Sequence, residues 1–226
     1  MKLILWDIDG TLLDTGRAGQ SAFYRAWKEI TGIDSPPGVV DFRGRTDTFI
    51  ARQLHAHFNV PWSEESVRVL HERYLENLAA ELPRATGTLH PGILEILEAV
   101  RLRSDLAQGL LTGNLQRGAR LKLEHYKVWH YFEFGAFADD SAVRNELGPF
   151  ALSRARDRHG RDFKPEEVFI VGDTPHDVAC AQAIGARSIG VGTGHFPAAE
   201  LAACGATAVL DDLSDPAAFF AVVDRV

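Results

Sequence analysis

Short apolar runs alternate along this chain with stretches whose apolar residues recur at helical spacing. Leu3 to Ile8, Gly109 to Thr112, Phe132 to Phe137, Val168 to Gly172, Arg187 to Val191 and Ala206 to Leu210 predict strands. Unbroken apolarity, as in VFIVG, suits strands buried on both faces of a helix-covered parallel sheet. Between the runs, Ile93, Leu94, Ile96, Leu97 and Val100 form one apolar stripe, and Leu147 to Arg158 and Val178 to Ile184 read likewise. Strand alternating with helix predicts an α/β fold with a doubly wound, mainly parallel, Rossmann-like sheet.

Residues 17–87 break the rhythm, with helix patterns and no good strand. Ala22, Phe23, Ala26, Trp27 and Ile30 share a face closed by Gly32, and the loop SPPG follows. Further helices are expected to start at Thr46 and Ser63, where a capping side chain precedes acids that suit the positive end of the helix dipole. The second should end before Pro83. The pattern predicts an inserted α-helical cap at 17–87 within a core made of 1–16 and 88–226, with hinges near Thr15–Gly16 and Thr86 to Pro91.

With 226 residues, 46% of them hydrophobic, the chain can bury a large core. A net charge of −7 argues against a nucleic-acid binder, which would show a basic face. The two cysteines, Cys180 and Cys204, have no paired spacing, so no disulfide framework or thiolate zinc site is indicated. No apolar run approaches the roughly 18 residues that span a bilayer, and MKLILW is too short for a signal-peptide core. A cytoplasmic protein without nucleic-acid or membrane partners is expected.

The unusual polar residues fall at the ends of predicted strands: DIDGT after the first, LLTGN after the second and IVGDTPHDV at residues 168 to 172 and beyond. In open α/β sheets ligands bind at this carboxyl edge. A strand ending in Asp and Gly also describes an ordinary turn, but three such loops at one edge fit that reading poorly. Asp7, Asp9, Asp173 and Asp177 should therefore converge, and so many carboxylates call for a hard cation, for which Mg²⁺ is suited. Asp7, at the strand tip, is a candidate nucleophile that would form an aspartyl-phosphate. Asp9, one residue further out, is a candidate proton carrier to the leaving oxygen and later from water. Thr112 and Gly113 can offer a hydroxyl and an N–H to phosphoryl oxygens, with Asn114 close behind.

DIDGTLLDTG, LLTGN and GDTPHD, in this order, resemble motifs one, two and four of the haloacid dehalogenase-like hydrolase superfamily, in particular its phosphoglycolate phosphatase-like members with a helical cap. The resemblance spans nearly the whole chain. It implies Asp7 as nucleophile and metal ligand, and Asp9 as acid/base and metal ligand through its backbone carbonyl. It further implies Thr112 as phosphate binder and Asp173 as metal ligand, with Asp177 supporting the metal directly or through water. Gly10 and Thr11 of the first motif join Gly113 and Asn114 as candidate substrate contacts. The third motif departs from the family: its usual lysine is absent from DDSAVRNELGPFALSRA, and Arg144 occupies the expected place. Arginine keeps the charge but replaces a compact ammonium with a planar fork. Lys122 in ARLKLEHY is the alternative cation; it reads more simply as a solvated helix residue, and Arg144 is preferred.

The expected activity is Mg²⁺-dependent hydrolysis of a small phosphomonoester, phosphoglycolate-like or a sugar phosphate. A phosphohexomutase of the same fold needs the same two acids and differs mainly in how the cap excludes water. A 2-haloacid dehalogenase is disfavoured, because halide leaves without a proton and the metal acids would be idle. A non-catalytic metal-binding or partner-binding homologue finds support only in the arginine at motif three. Specificity should reside in the cap, where FRGRTD carries Arg43 and Arg45, the latter favoured as a contact to a substrate anion. His55 and His57, at alternate positions on a presumed helix, should point apart rather than share a metal. His176 and His195 read as surface histidines near the site, and the tryptophans, Trp27 and Trp62 among them, as core or cap-seam residues.

Overall fold

The computed structural model describes residues 1–36 and 38–225. The SPPG loop includes residue 37, which lies outside the described residues. Six parallel strands form one sheet: β1 (Lys2–Trp6), β4 (Leu106–Leu111), β5 (Gly135–Ala136), β6 (Val168–Gly172), β7 (Arg187–Val191) and β8 (Ala208–Leu210). Their order is β5-β4-β1-β6-β7-β8. The chain winds outward from β1 in one direction through β4 and β5, then returns to the other side of β1 and continues through β6, β7 and β8. The reversal makes β1 the topological switch point, where loops on either side splay apart and open a crevice.

Alternation along β1 divides the core. Leu3 and Leu5 face one layer with Leu147, Ala151 and Ala155 of α6 (Leu147–His159) and Cys180 and Ala181 of α7 (Pro175–Ala183). Ile4 and Trp6 face the other, with Ile93, Ile96 and Leu97 of α4 (Ile93–Leu102), Ala119 and Leu123 of α5 (Gln116–His125), and Phe219 and Val223 of α9 (Pro216–Asp224). Trp6 stacks on Phe219 at 5.3 Å between ring centroids. The short α8 (Ala198–Ala203) sets Leu201 against Gly190 of β7.

Among the described residues, three α-helices lie between residues 15 and 87: α1 (Ala18–Thr31), α2 (Asp47–His57) and α3 (Glu64–Glu81). They build their own apolar cluster around Phe23, Trp27, Ile50, Leu54, Leu70 and Tyr74. The ends follow local chemistry. Gly32 closes α1 in the left-handed conformation, Thr46 Oγ1 accepts from the Phe49 N–H, and Ser63 and Ser66 cap α3 reciprocally. The chain enters and leaves this module through two antiparallel strands, β2 (Leu13–Asp14) and β3 (Thr88–Leu89).

Several details differ from the pattern-based expectation. Ile30 and Leu94 lie on the solvent side of their helices, 37% and 49% exposed, so each apolar stripe is one residue narrower than it reads. The edge strand expected over Phe132 to Phe137 shrinks to two residues. A 3-10 turn at Trp129–Tyr131 runs up to it, and Asp140 Oδ2 accepts the Phe137 N–H and ends it. Trp62 is exposed rather than packed in a seam; the Arg52 guanidinium lies 5.2 Å from its ring centroid and His55 meets it edge-on. The β2–β3 ribbon is too short to show alternation in sequence. Among the described residues no helix is long and apolar enough to cross a membrane.

Candidate active site

The carboxyl ends of β4, β1 and β6, three neighbours in the sheet, deliver Thr112, Asp7 and Asp173 to one crevice. Asp7 still pairs through its N–H with the Val171 carbonyl, which fixes it at the strand tip before the chain turns away. Gly10 makes the turn possible: its φ is +81°, and a Cβ there would collide with the Asp173 carboxylate. Thr11 Oγ1 donates to Asp173 Oδ1 at 3.2 Å, and Thr193 Oγ1 donates to the Gly10 carbonyl at 2.5 Å.

Oxygens of Asp7, Asp173 and Asp177 lie within 4.8 Å of one another, all three residues buried. Asp177, in the first turn of α7, takes the N–H and the hydroxyl of Thr174 on Oδ2, leaving Oδ1 to Arg144. Arg144, in a 3-10 turn at Arg144–Glu146, places Nη2 2.5 Å from Asp177 Oδ1 and 3.0 Å from Asp7 Oδ2. Burial opposes its charge, but Asp177 and Asp7 outweigh that and raise its pKa above the ordinary arginine value. Burial pushes the Asp7 carboxyl up to about 6; Arg144 opposes this while Asp177 and Asp9 add to it. Asp173 is raised well above the ordinary carboxylate value, by burial and then by Asp177 and Asp7. One guanidinium thus leaves the three-carboxylate cluster short of positive charge. The cluster can hold a divalent metal, whose charge would supply the remainder.

The Asp9 carboxylate is not among these oxygens. It turns toward the buried Lys122, whose Nζ donates to Asp9 Oδ1 at 2.8 Å, Asp9 Oδ2 at 2.6 Å and Asn114 Oδ1 at 2.6 Å. Asn114 Nδ2 donates in turn to Asp9 Oδ2 and Thr112 Oγ1, both at 2.8 Å. The solvated position expected for Lys122 is therefore incorrect, since its side chain is only 4% exposed. Position in a helix did not reveal this, because α5 turns that face toward the β1 loop. The two candidate cations do not compete for one place. Arg144 sits between Asp7 and Asp177, and Lys122 holds Asp9.

A cavity of about 640 Å³ opens above these groups and is lined also by Arg17, Arg45, Phe42 and His195. Arg43 is paired with Asp41 at 2.8 Å, whereas the Arg45 guanidinium lies over the Phe49 ring, 4.7 Å from its centroid. Gly113 admits no side chain because the Arg45 carbonyl presses against it. His176 is half-buried, and His195 is exposed. His55 is buried and edge-on to Trp27, away from the carboxylates, while His57 is exposed. Asp47 escaped the sequence reading. It looks like an ordinary first-turn acid of α2, yet it is buried and its Oδ2 accepts the Leu115 N–H at 2.8 Å.

The switch-point crevice thus holds a buried acid cluster and two paired cations, and comparison with known proteins gives the class. The family model described as haloacid dehalogenase-like hydrolase matches residues 4–191. The chain belongs to that family. It is 28% identical over 217 residues to the probable phosphatase IndB of Dickeya dadantii, covering 94% of this chain and 90% of the relative. It is 25% identical over 225 residues to a phosphoglycolate phosphatase of Vibrio parahaemolyticus, covering 95% and 94%. A crystal structure of a hydrolase from Pseudomonas syringae superposes with a TM-score of 0.77 at 19% identity, covering 99% of each chain.

Proposed function

We propose that the chain is a Mg²⁺-dependent phosphatase that hydrolyses a small phosphomonoester, phosphoglycolate-like or a sugar phosphate, through an aspartyl-phosphate on Asp7. The observation that carries this reading is the buried Asp7 at the tip of β1, sharing Arg144 with Asp177 and standing beside Asp173. Asp7, Asp173 and Asp177, with the backbone carbonyl of Asp9, would hold the ion. When bound, Mg²⁺ would supply positive charge that offsets the clustered carboxylates and the negative charge of the phosphoryl group.

In the first step an Asp7 carboxylate oxygen attacks phosphorus, the ester P–O bond breaks, and Asp9 gives a proton to the leaving oxygen. In the second, water attacks the aspartyl-phosphate, Asp9 takes its proton, and inorganic phosphate leaves with Asp7 restored. Thr112, Gly113 and Asn114 bind phosphoryl oxygens, Gly10 and Thr11 shape the β1 side, and Arg45 meets an anionic group on the leaving portion. The cavity volume suits a small metabolite. Residues 17–87 act as a cap that closes to exclude bulk water during the first transfer. Two free cysteines fit a reducing, cytoplasmic setting.

The test is a screen of phosphorylated metabolites and para-nitrophenyl phosphate with released phosphate as readout, with Mg²⁺ and with chelator. Wild-type protein should release phosphate only with the ion, and Asp7→Asn should release none while remaining folded. Turnover surviving in Asp7→Asn removes the covalent route. Isomerisation of a sugar phosphate without phosphate release replaces hydrolysis by a mutase reaction.

A further inference from the structure

Three consecutive residues at the start of α2 are each hydrogen-bonded to the sheet domain. Thr46 Oγ1 donates to the Ala142 carbonyl at 2.7 Å, the Asp47 N–H donates to the Gly113 carbonyl at 2.7 Å, and Thr48 Oγ1 donates to the Ala138 carbonyl at 3.1 Å. Asp47 makes a second bond, accepting the Leu115 N–H on Oδ2. It thus grips the loop after β4 on both sides of Asn114. That loop is braced from behind, where the Asn114 carbonyl accepts the Ala138 N–H at 2.9 Å.

Helix formation does not require this arrangement. Thr46 already caps α2, and an acid in a first turn serves the helix dipole equally well in water. Burying a carboxyl is costly unless it is partnered, and here its partner is an N–H of the loop carrying Thr112, Gly113 and Asn114. We propose that Asp47 is a positioning residue: bonding Gly113 and Leu115 from the helical module, it sets the loop Thr112–Leu115 in phosphate-holding geometry only while α2 is seated on the sheet domain. The inference rests on the reading of Thr112–Asn114 as the phosphate loop.

The surroundings add a pH dependence. Burial pushes the Asp47 carboxyl up to about 7, opposed by Lys122 and the Leu115 N–H and reinforced by Asp9 and Asp139. Lys122 faces it from α5, Asp9 from the loop after β1, Asp139 from the loop after β5, and His71 and Tyr74 from α3. Released into water, the group returns toward its ordinary 3.8, so the seated state binds the proton more readily. Seating is therefore firmest in acid and weakens progressively as pH rises from about 4 to about 7.

Hydrogen exchange on the full-length protein at pH 5.5 and 7.5, corrected for intrinsic rates, tests this alongside para-nitrophenyl phosphate kinetics. In wild type, protection of the amides of residues 113–116 should fall about tenfold or more between the two pH values. Asp47→Ala should raise their exchange about tenfold while leaving β1 and β6 unchanged, and should lower kcat. Asp47→Asn should keep the protection and lose the pH slope, rescuing kcat. Should the alanine variant fail to fold, Thr48→Val removes a neighbouring bond and should raise exchange over 112–116 about threefold to tenfold. The proposal is overturned by unchanged exchange in Asp47→Ala or in Thr48→Val, by an equal rise across β1 and β6, or by a wild-type pH slope in Asp47→Asn. Exchange needs no turnover, so a chain that hydrolyses no phosphate ester loses the phosphatase reading while this measurement still decides the role of Asp47.

Discussion

Replacing Arg144 by methionine removes the guanidinium that contacts both Asp7 and Asp177 and leaves their carboxylates to repel in a buried crevice. The displacement of Asp7 from 3.8 to about 6 corresponds to about 3 kcal/mol against its charged form even with Arg144 present. Breaking a buried ion pair by deleting one partner costs about 3–5 kcal/mol, which in a chain of this size lowers Tm by about 10 °C. The sign with pH follows from the raised value. Folded Asp7 binds its proton more readily than the unfolded chain does, so stability falls as pH rises from about 4 to 6. Without Arg144 that window extends upward, because the largest opposing influence is gone. Thermal unfolding of wild type and Arg144→Met at pH 5.5 and 8, with chelator and with Mg²⁺, reads all of this. The variant should lose more Tm at pH 8 than at 5.5, and Mg²⁺ should restore more Tm to it than it adds to wild type, because the ion supplies the missing charge. Equal losses at both pH values with no extra gain from the ion would refute the electrostatic account of the cluster.

Two further outcomes follow from side chains the reaction scheme leaves in the background. Lys122→Met removes three charge-assisted hydrogen bonds around Asp9 and Asn114 and should lower kcat about 10- to 100-fold with a smaller change in KM; steady-state kinetics with para-nitrophenyl phosphate check it, and an unchanged kcat would deny Asp9 its supported geometry. Cys180 is buried, its thiol pushed up to about 11 chiefly by burial, whereas Cys204 is exposed. A thiol reagent at pH 8 should therefore titrate one group in the native protein and two after denaturation.

The sheet was legible because its strands are buried on both faces and its chemistry sits at their ends. Runs such as VFIVG need no tertiary information to read as parallel strands, and the acids that follow them mark the crevice. The edge strand was overestimated because Phe132 and Phe137 are apolar for reasons of core packing, while strand length is decided by Asp140 and the turn before it. Arg144 could be placed only through the resemblance, at the distance ahead of the motif-four acids where the family carries its lysine; its pairing with Asp7 and Asp177 came from the fold. Lys122 and Asp47 could not. A lysine in a polar helix and an acid after a threonine cap carry their ordinary local meaning, and only the packing of α5 and α2 against the β1 and β4 loops gives them another.

The paired strands β2 and β3 carry a consequence for how such a chain diversifies. Because the three-helix insertion departs and returns through adjacent, mutually hydrogen-bonded segments, its two attachment points are held together by the chassis rather than by the helices. A transplanted insertion of different length or composition would meet the same docking stub, with little added closure entropy and no register change in the six-stranded sheet. Chimaeras joined at Asp14 and Thr88 would then exchange the helical insertion while carrying over the acidic tip of β1 untouched.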